Sequence, residues 1–395
     1  MSVSLNSTLS LVPIEIRKEK KRFIIEDQVL GEFYEMPEIC IDAIQLINQG
    51  EQLGEIERRL KAKYPYEEVD LINFTEQLIE LHLIDSINGA KIERQEKQKE
   101  KLGFLWISPK IGKFFFNKVT YPIYWALFIL NIVIFILYPS LFPHHEDIFV
   151  FNLMVVNVLF WMVFTFLFVL IHEFGHVLAM RAFNLPTKLE IGHRMFFVVL
   201  LTDMSSVWRI TPKDRNVLFL AGLCFDTVLL FISLILQLIV PNDQWLLNGL
   251  MNLAVFDIVL RMSFQFCIYM KTDLYFVFEN VSGCYNLMEN AQQTIRKRFS
   301  FLKSKASEEV VFSGEKKTVF IYSLFFLLGI ILTVVLYFMY YIPEVIYAAK
   351  KLLPGFVQPP TSLLFWDALV FLLQVSIFII LLLYSWRKKY LLSKM

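Results

Sequence analysis

Residues 149–183 read FVFNLMVVNVLFWMVFTFLFVLIHEFGHVLAMRAF, an almost unbroken apolar run that is interrupted near its end by His172-Glu173-Phe174-Gly175-His176. A helix of about 20 apolar residues crosses the hydrocarbon core of a bilayer, so this stretch is long enough to span one. Ionisable residues inside such a span are costly and usually functional. On a helix, positions i and i+4 share a face, so His172 and His176 can offer both imidazoles to one metal ion. Zinc suits two imidazoles plus a carboxylate, with the fourth position open to water, whose pKa falls to about 7. Glu173, beside the first histidine, is then the candidate general base. The plainer alternative is a pair of histidines that caps and packs a helix.

The rest of the chain fits a polytopic membrane protein. It has 395 residues, 56% of them hydrophobic and 39 of them Phe, with a mean hydropathy of +0.53, too apolar for an ordinary soluble domain of this size. Five further apolar runs, 121–142, 216–240, 245–270, 318–341 and 363–386, bring the expected crossings to six. Taking the N-terminus as cytosolic, the outer joints 143–148, 241–244 and 342–362 contain only Lys350 and Lys351 as basic residues. The inner joints hold Arg181, Lys188, Arg194, Arg209, Lys213 and Arg215, the basic stretch 296–317 and Arg387-Lys388-Lys389. That asymmetry predicts a multi-pass protein of the cell membrane with both termini in the cytosol. Segment 296–317 reads as a solvated cytosolic joint first and a contact for anionic lipid second. Residues 14–23 are dense with Lys and Arg, so a secretory signal ahead of the spans is not expected. With 38 basic against 37 acidic residues, nothing points to a nucleic-acid partner. The four cysteines have no metal-type spacing and imply no disulfide framework.

A mainly α fold with a small α+β module at the N-terminus is expected. Residues 1–85 carry two candidate strands around Gly31, then three short helical patterns marked by Ile39, Ala43 and Ile47, by Ile56 and Leu60, and by Val69, Ile72, Leu78 and Leu81. This is a winged-helix-like arrangement. Residues 86–118 read as a charged linker or exposed helix, 119–290 as the membrane-embedded core, 291–317 as the basic loop and 318–395 as two C-terminal spans. Segment 188–210 is too short and polar to cross, and its apolar stretch 195–201 is expected to form a hairpin or re-entrant segment, since backbone at membrane depth must be covered by protein.

A third metal ligand is required, and Asp273 in Lys271-Thr272-Asp273-Leu274-Tyr275 is the best candidate. Counted along helices running inward from residues 149 and 245, Phe174 and Asp273 lie about 38 and 42 Å deep, a comparable level. Alternatively Asp273 only ends a helix beside Lys271. Asp257 and Arg261, four residues apart, are expected to pair with each other. Asp226, one turn after Ala221-Gly222, is a candidate for lining the site, and Asp203 for touching substrate. His193 reads as a solvated loop residue, and His144-His145-Glu146-Asp147 as a polar turn rather than a metal patch.

The helix-borne histidine motif inside a span, with a later aspartate, resembles the site-2 protease family of intramembrane zinc metalloproteases over residues 149–290. The resemblance implies one zinc ion per chain held by His172, His176 and Asp273, with Glu173 as catalytic base. Two departures bear on substrate clamping: Leu274 follows the aspartate where the family has Gly, without a preceding Asn-Pro, and the stretch 221–226 ends in Asp where the family has Asn. Residues 23–85 resemble the PqqD-like domain that holds leader peptides of ribosomally made, modified peptides. The combination is similar to the peptide zinc metalloproteases of bacterial peptide-modification clusters. It implies a peptide precursor or membrane-inserted segment as substrate and a peptide exporter as a possible partner. The rival from another class is a non-catalytic membrane protein of immunity or transport, in which the histidines serve structure.

Overall fold

The computed structural model describes residues 3–19, 22–92, 103–151, 154–194, 197–241, 243–298 and 315–392. The chain divides into two compact units, Met1–Lys101 and Leu102–Met395.

The first unit is α+β. Strands β1 (Leu9–Leu11), β2 (Ile14–Glu19), β3 (Arg22–Asp27) and β4 (Phe33–Met36) precede helices α1 (Glu38–Asn48), α2 (Leu53–Lys63) and α3 (Leu71–Glu80), and strands β5 (Ile84–Ile87) and β6 (Ala90–Lys91) close it. Two antiparallel sheets form, in the orders β2-β3-β4 and β1-β5-β6. The helices bury the faces their spacing announces, with Ile44, Ile47, Leu53, Ile56 and Leu78 meeting Ile25 of β3 in one core. Asp70 caps α3 by accepting the Ile72 and Asn73 amides at 3.0 Å. The expected linker therefore begins later than residue 86. Residues 86–91 are paired strand, turned by Asn88-Gly89, where both φ angles are positive (51° and 82°) as a type I′ hairpin requires.

The second unit is helical. A short helix α4 (Pro109–Phe115) leads into α5 (Thr120–Leu137), followed by the long α6 (Met154–Ala182). A hairpin of β7 (Leu189–Arg194) and β8 (Phe197–Thr202) comes next, in the segment expected to form a hairpin or a re-entrant segment. Then come α7 (Pro212–Phe219), α8 (Ala221–Ile239), α9 (Trp245–Phe264), α10 (Asp273–Ser282), α11 (Leu287–Arg298), α12 (Lys316–Leu336), α13 (Ile342–Leu352) and α14 (Leu363–Leu392). Among the described residues, six helical stretches are long and apolar enough to cross a membrane: Pro109–Leu137, Val155–Ala182, Ala221–Ile239, Trp245–Phe264, Lys316–Met339 and Leu363–Tyr384. Their outward faces carry exposed Leu, Ile and Phe, as a lipid-facing surface does. Helix α8 packs against α5, α6 and α9 and buries Leu230 and Leu234 against Ile258 of α9.

One expected span is broken. The run 245–270 is helical only to Phe264; the chain then turns through a 3₁₀ segment, Ile268–Met270, and Lys271 takes a left-handed conformation (φ 53°). Asp273 therefore opens a new helix rather than extending α9, and its depth does not follow from a continuous count of residues. The basic stretch 296–317 lies largely outside the described residues.

Candidate metal centre

His172 and His176 project from the second half of α6 on one face, as their spacing predicts, with ring centroids 5.1 Å apart. Asp273 arrives from the start of α10. Its Oδ2 lies 3.0 Å from His172 Nε2 and 3.3 Å from His176 Nε2, and all three side chains are buried. Among the described residues this is the group of His, Cys, Asp and Glu whose donor atoms converge, within 4.8 Å of one another.

The protons say what the group is suited to hold. His176 Nδ1 donates to the Leu218 carbonyl oxygen at 2.8 Å. A carbonyl can only accept, so the proton must be on Nδ1 and, in the neutral ring, Nε2 keeps its lone pair. His172 Nδ1 lies 2.8 Å from Asp226 Oδ2, and a carboxylate likewise asks for the proton there. With both rings neutral, two nitrogen lone pairs and a carboxylate oxygen thus point at one spot, where a proton on one Nε2 or a bound cation relieves their repulsion. Donors bound to zinc at about 2.0–2.1 Å in a tetrahedron stand about 3.3 Å apart, and the two separations from Asp273 Oδ2, 3.0 and 3.3 Å, lie near that value. Metal-bound imidazoles usually give their other N–H to a carboxylate or a backbone carbonyl, and here one ring does each.

Asp226 is itself held. Arg261 Nη2 donates to its Oδ1 at 2.9 Å, while Arg261 Nε donates to Asp257 Oδ2 at 3.1 Å. Thr165 Oγ1 donates to Asp257 Oδ1 at 2.5 Å. The expected Asp257–Arg261 pair is present and extends into an array that joins α6, α8 and α9. Asp226 is fully buried behind His172 and does not line the cleft, contrary to the expectation for it. The position one turn earlier, Gly222, lies so close to the His172 ring that a Cβ there would stand 2.3 Å from Nε2. Only glycine lets the imidazole occupy that place.

Glu173 points into a cleft of about 440 Å³ together with His176, Asp273 and Asp203. The Thr202 hydroxyl, from the end of β8, donates to Glu173 Oε2 at 2.7 Å. Asp203 lines this cleft, one oxygen accepting the Ser205 amide at 2.9 Å. Val207, Trp208, Phe219 and Phe276 supply apolar walls. The side chain of His193 lies outside the described residues. His144–Asp147 form a polar turn, in which the His144 amide donates to Asp147 Oδ2 at 2.6 Å.

Three contributors were not singled out from sequence. Gln265 Oε1 accepts the Asp273 amide at 2.9 Å, and Gln265 O accepts the Thr272 hydroxyl at 2.7 Å, so Gln265 fixes the turn that presents the aspartate. No pattern signals a contact across that irregular turn. Thr202 and Gly222 had a weak signal, since both stand beside residues already under suspicion, Asp203 and Asp226.

Comparison with protein-family models, with curated proteins and with solved structures finds no match for this chain.

Proposed function

We propose that the chain is a multi-pass membrane zinc endopeptidase of site-2 protease type that cuts a ribosomally made peptide precursor or a membrane-inserted segment. The observation that carries this is the meeting of three acceptor atoms from His172, His176 and Asp273 beside a carboxylate, Glu173, that faces an open cleft. One zinc ion held by those three residues would polarise a scissile carbonyl and lower the pKa of water to about 7.

The protein's own groups supply the remainder. Glu173 takes a proton from the attacking water and returns it to the leaving amine. Thr202, hydrogen-bonded to Glu173 Oε2, holds that carboxylate toward the cleft and away from the metal ligands. Asp226 keeps His172 in the tautomer that leaves Nε2 bare. The apolar walls exclude water and receive apolar side chains. In this scheme both termini are cytosolic and the centre lies near the inner face of the cell membrane, on the strength of the Lys and Arg distribution. The N-terminal unit would hold a leader peptide in the PqqD-like manner, and a peptide exporter would take the product.

The test is paired. Purified protein should contain about one zinc per chain, and His176→Ala should lose it. Glu173→Gln should remain folded and zinc-loaded yet lose about 10²–10⁴-fold in rate. Normal processing by Glu173→Gln would end the hydrolase proposal in favour of a non-catalytic role. Orientation is tested by thiol labelling: Gln244→Cys should react from outside the cell and Lys297→Cys only after permeabilisation.

A further inference from the structure

The cleft carries charge that hydrolysis does not use. Glu279 stands on α10 six positions after Asp273, lines the cleft and is 8% exposed. Its Oε1 accepts both the Tyr275 hydroxyl at 2.8 Å and the Leu287 amide at 3.0 Å. Its Oε2 accepts nothing from the described residues. The next residue, Asn280, is also buried and also lines the cleft. Its Nδ2 donates to Pro212 O at 2.6 Å and Asn216 Oδ1 at 2.8 Å, while its own Oδ1 is a buried acceptor with no partner among the described residues.

Glu279 therefore brings a carboxylate oxygen without a donor among the described residues to the cleft wall, and the adjacent residue holds a second, buried acceptor in Asn280 Oδ1. Lys271, the only lysine or arginine among the described lining residues, is already engaged by Glu289. Glu279 and Glu289 together place two carboxylates against one ammonium and leave one negative charge unmatched. Burial pushes the Glu279 carboxyl up, and the Leu287 amide, the Tyr275 hydroxyl and Lys271 only partly oppose it. A buried carboxylate of this kind gains most from an arriving cation, which offsets the cost of its desolvation.

We infer that Glu279, with Asn280 beside it in the cleft wall, forms a subsite for a lysine or arginine side chain of the peptide that the cleft cuts, an assignment that rests on the proposed hydrolysis. Six positions of α-helix advance about 9 Å, and an extended peptide advances about 3.3 Å per residue. The basic residue therefore lies two or three positions from the scissile bond.

The experiment uses full-length protein in detergent and a set of apolar peptides, each with one lysine walked along the chain, with matched norleucine peptides as controls. Wild type should cut lysine peptides about 10- to 100-fold faster in kcat/KM when lysine stands two or three residues from the cut, since losing one partner of a buried charge pair costs on this scale or more. Glu279→Gln keeps an acceptor for Tyr275 and Leu287 and removes the charge. It should cut lysine and norleucine peptides alike. Cleavage that Glu173→Gln abolishes but that shows no lysine preference overturns the subsite alone. A lysine preference that survives in Glu279→Gln also overturns it. Absence of Glu173-dependent cleavage of every peptide overturns the hydrolase proposal and the subsite with it.

Discussion

Replacing Gly222 by alanine is the most local perturbation the centre offers. A methyl carbon built there lies 2.3 Å from His172 Nε2, 2.5 Å from Cε1 and 2.6 Å from Cδ2. Non-bonded carbon contacts settle at about 3.5–4.0 Å, so the ring and the methyl must part by about 1 Å or more. The ring has little room to yield, because its Nδ1 is tied to Asp226 and its backbone lies in α6. A zinc ligand must stay within about 0.2 Å of its bond length, so a shift of that size removes His172 from the centre. Losing an outer partner of a ligand typically costs 10–100-fold in metal affinity, and losing the ligand itself should cost more, at least about 100-fold. The assay is zinc content by mass spectrometry after equilibration against graded chelator, with circular dichroism as the control for folding. Helix content should hold, since alanine favours a helix over glycine by about 1 kcal/mol. Wild-type zinc affinity in Gly222→Ala would refute the packing of His172 on α8 and with it the assignment of Nε2 as a ligand.

Other outcomes follow from the same geometry. Asp226→Asn should stay folded, with Arg261 still paired to Asp257, and bind zinc about 10–100-fold more weakly in the same chelator titration. Arg261→Met strands two buried carboxylates and should destabilise the protein by about 3–5 kcal/mol, read as a fall in melting temperature in detergent; an unchanged melting temperature would mean that the array does not form. Glu279 has its carboxyl raised by burial, so its contribution to stability is present below about pH 4 and lost as pH rises through the raised value. Glu279→Gln should therefore melt higher than wild type at pH 7 and level with it at pH 4. Gly89→Ala forces a side chain into a φ of 82° and should cost the N-terminal unit about 1 kcal/mol or more, measured by denaturant unfolding.

The spans and the histidine pair were legible because each rests on a local rule, length of apolar run in one case and helical spacing in the other. Asp273 was reached from sequence, but through a continuous helix that the structure interrupts at Phe264. It meets the histidines because Gln265 and Thr272 fold the chain into a turn, and such a turn has no periodicity to read. The hairpin at residues 84–91 did carry a signal, the Asn88-Gly89 pair, which the surrounding charged residues masked. Asp226 was noticed as a departure from the site-2 protease pattern. Its role depends on Arg261 from a neighbouring helix, and pairing between helices cannot be read from one strand of sequence without its partners.

The array of Asp226, Arg261 and Asp257 also bears on how the chain enters a membrane. A lone charge costs about 2.5–3.5 kcal/mol at the middle of an inserting helix and less toward its ends. Asp226 belongs to α8, and Asp257 and Arg261 to α9, with only residues 240–244 between the two helices. Inserted one at a time, α8 would carry a bare carboxylate into lipid. Inserted together as a helical hairpin, the two bring the Arg261–Asp226 and Arg261–Asp257 bonds with them. The ion array thus favours delivery of α8 and α9 as one unit during biogenesis, with His172 of α6 joining Asp226 as the bundle closes.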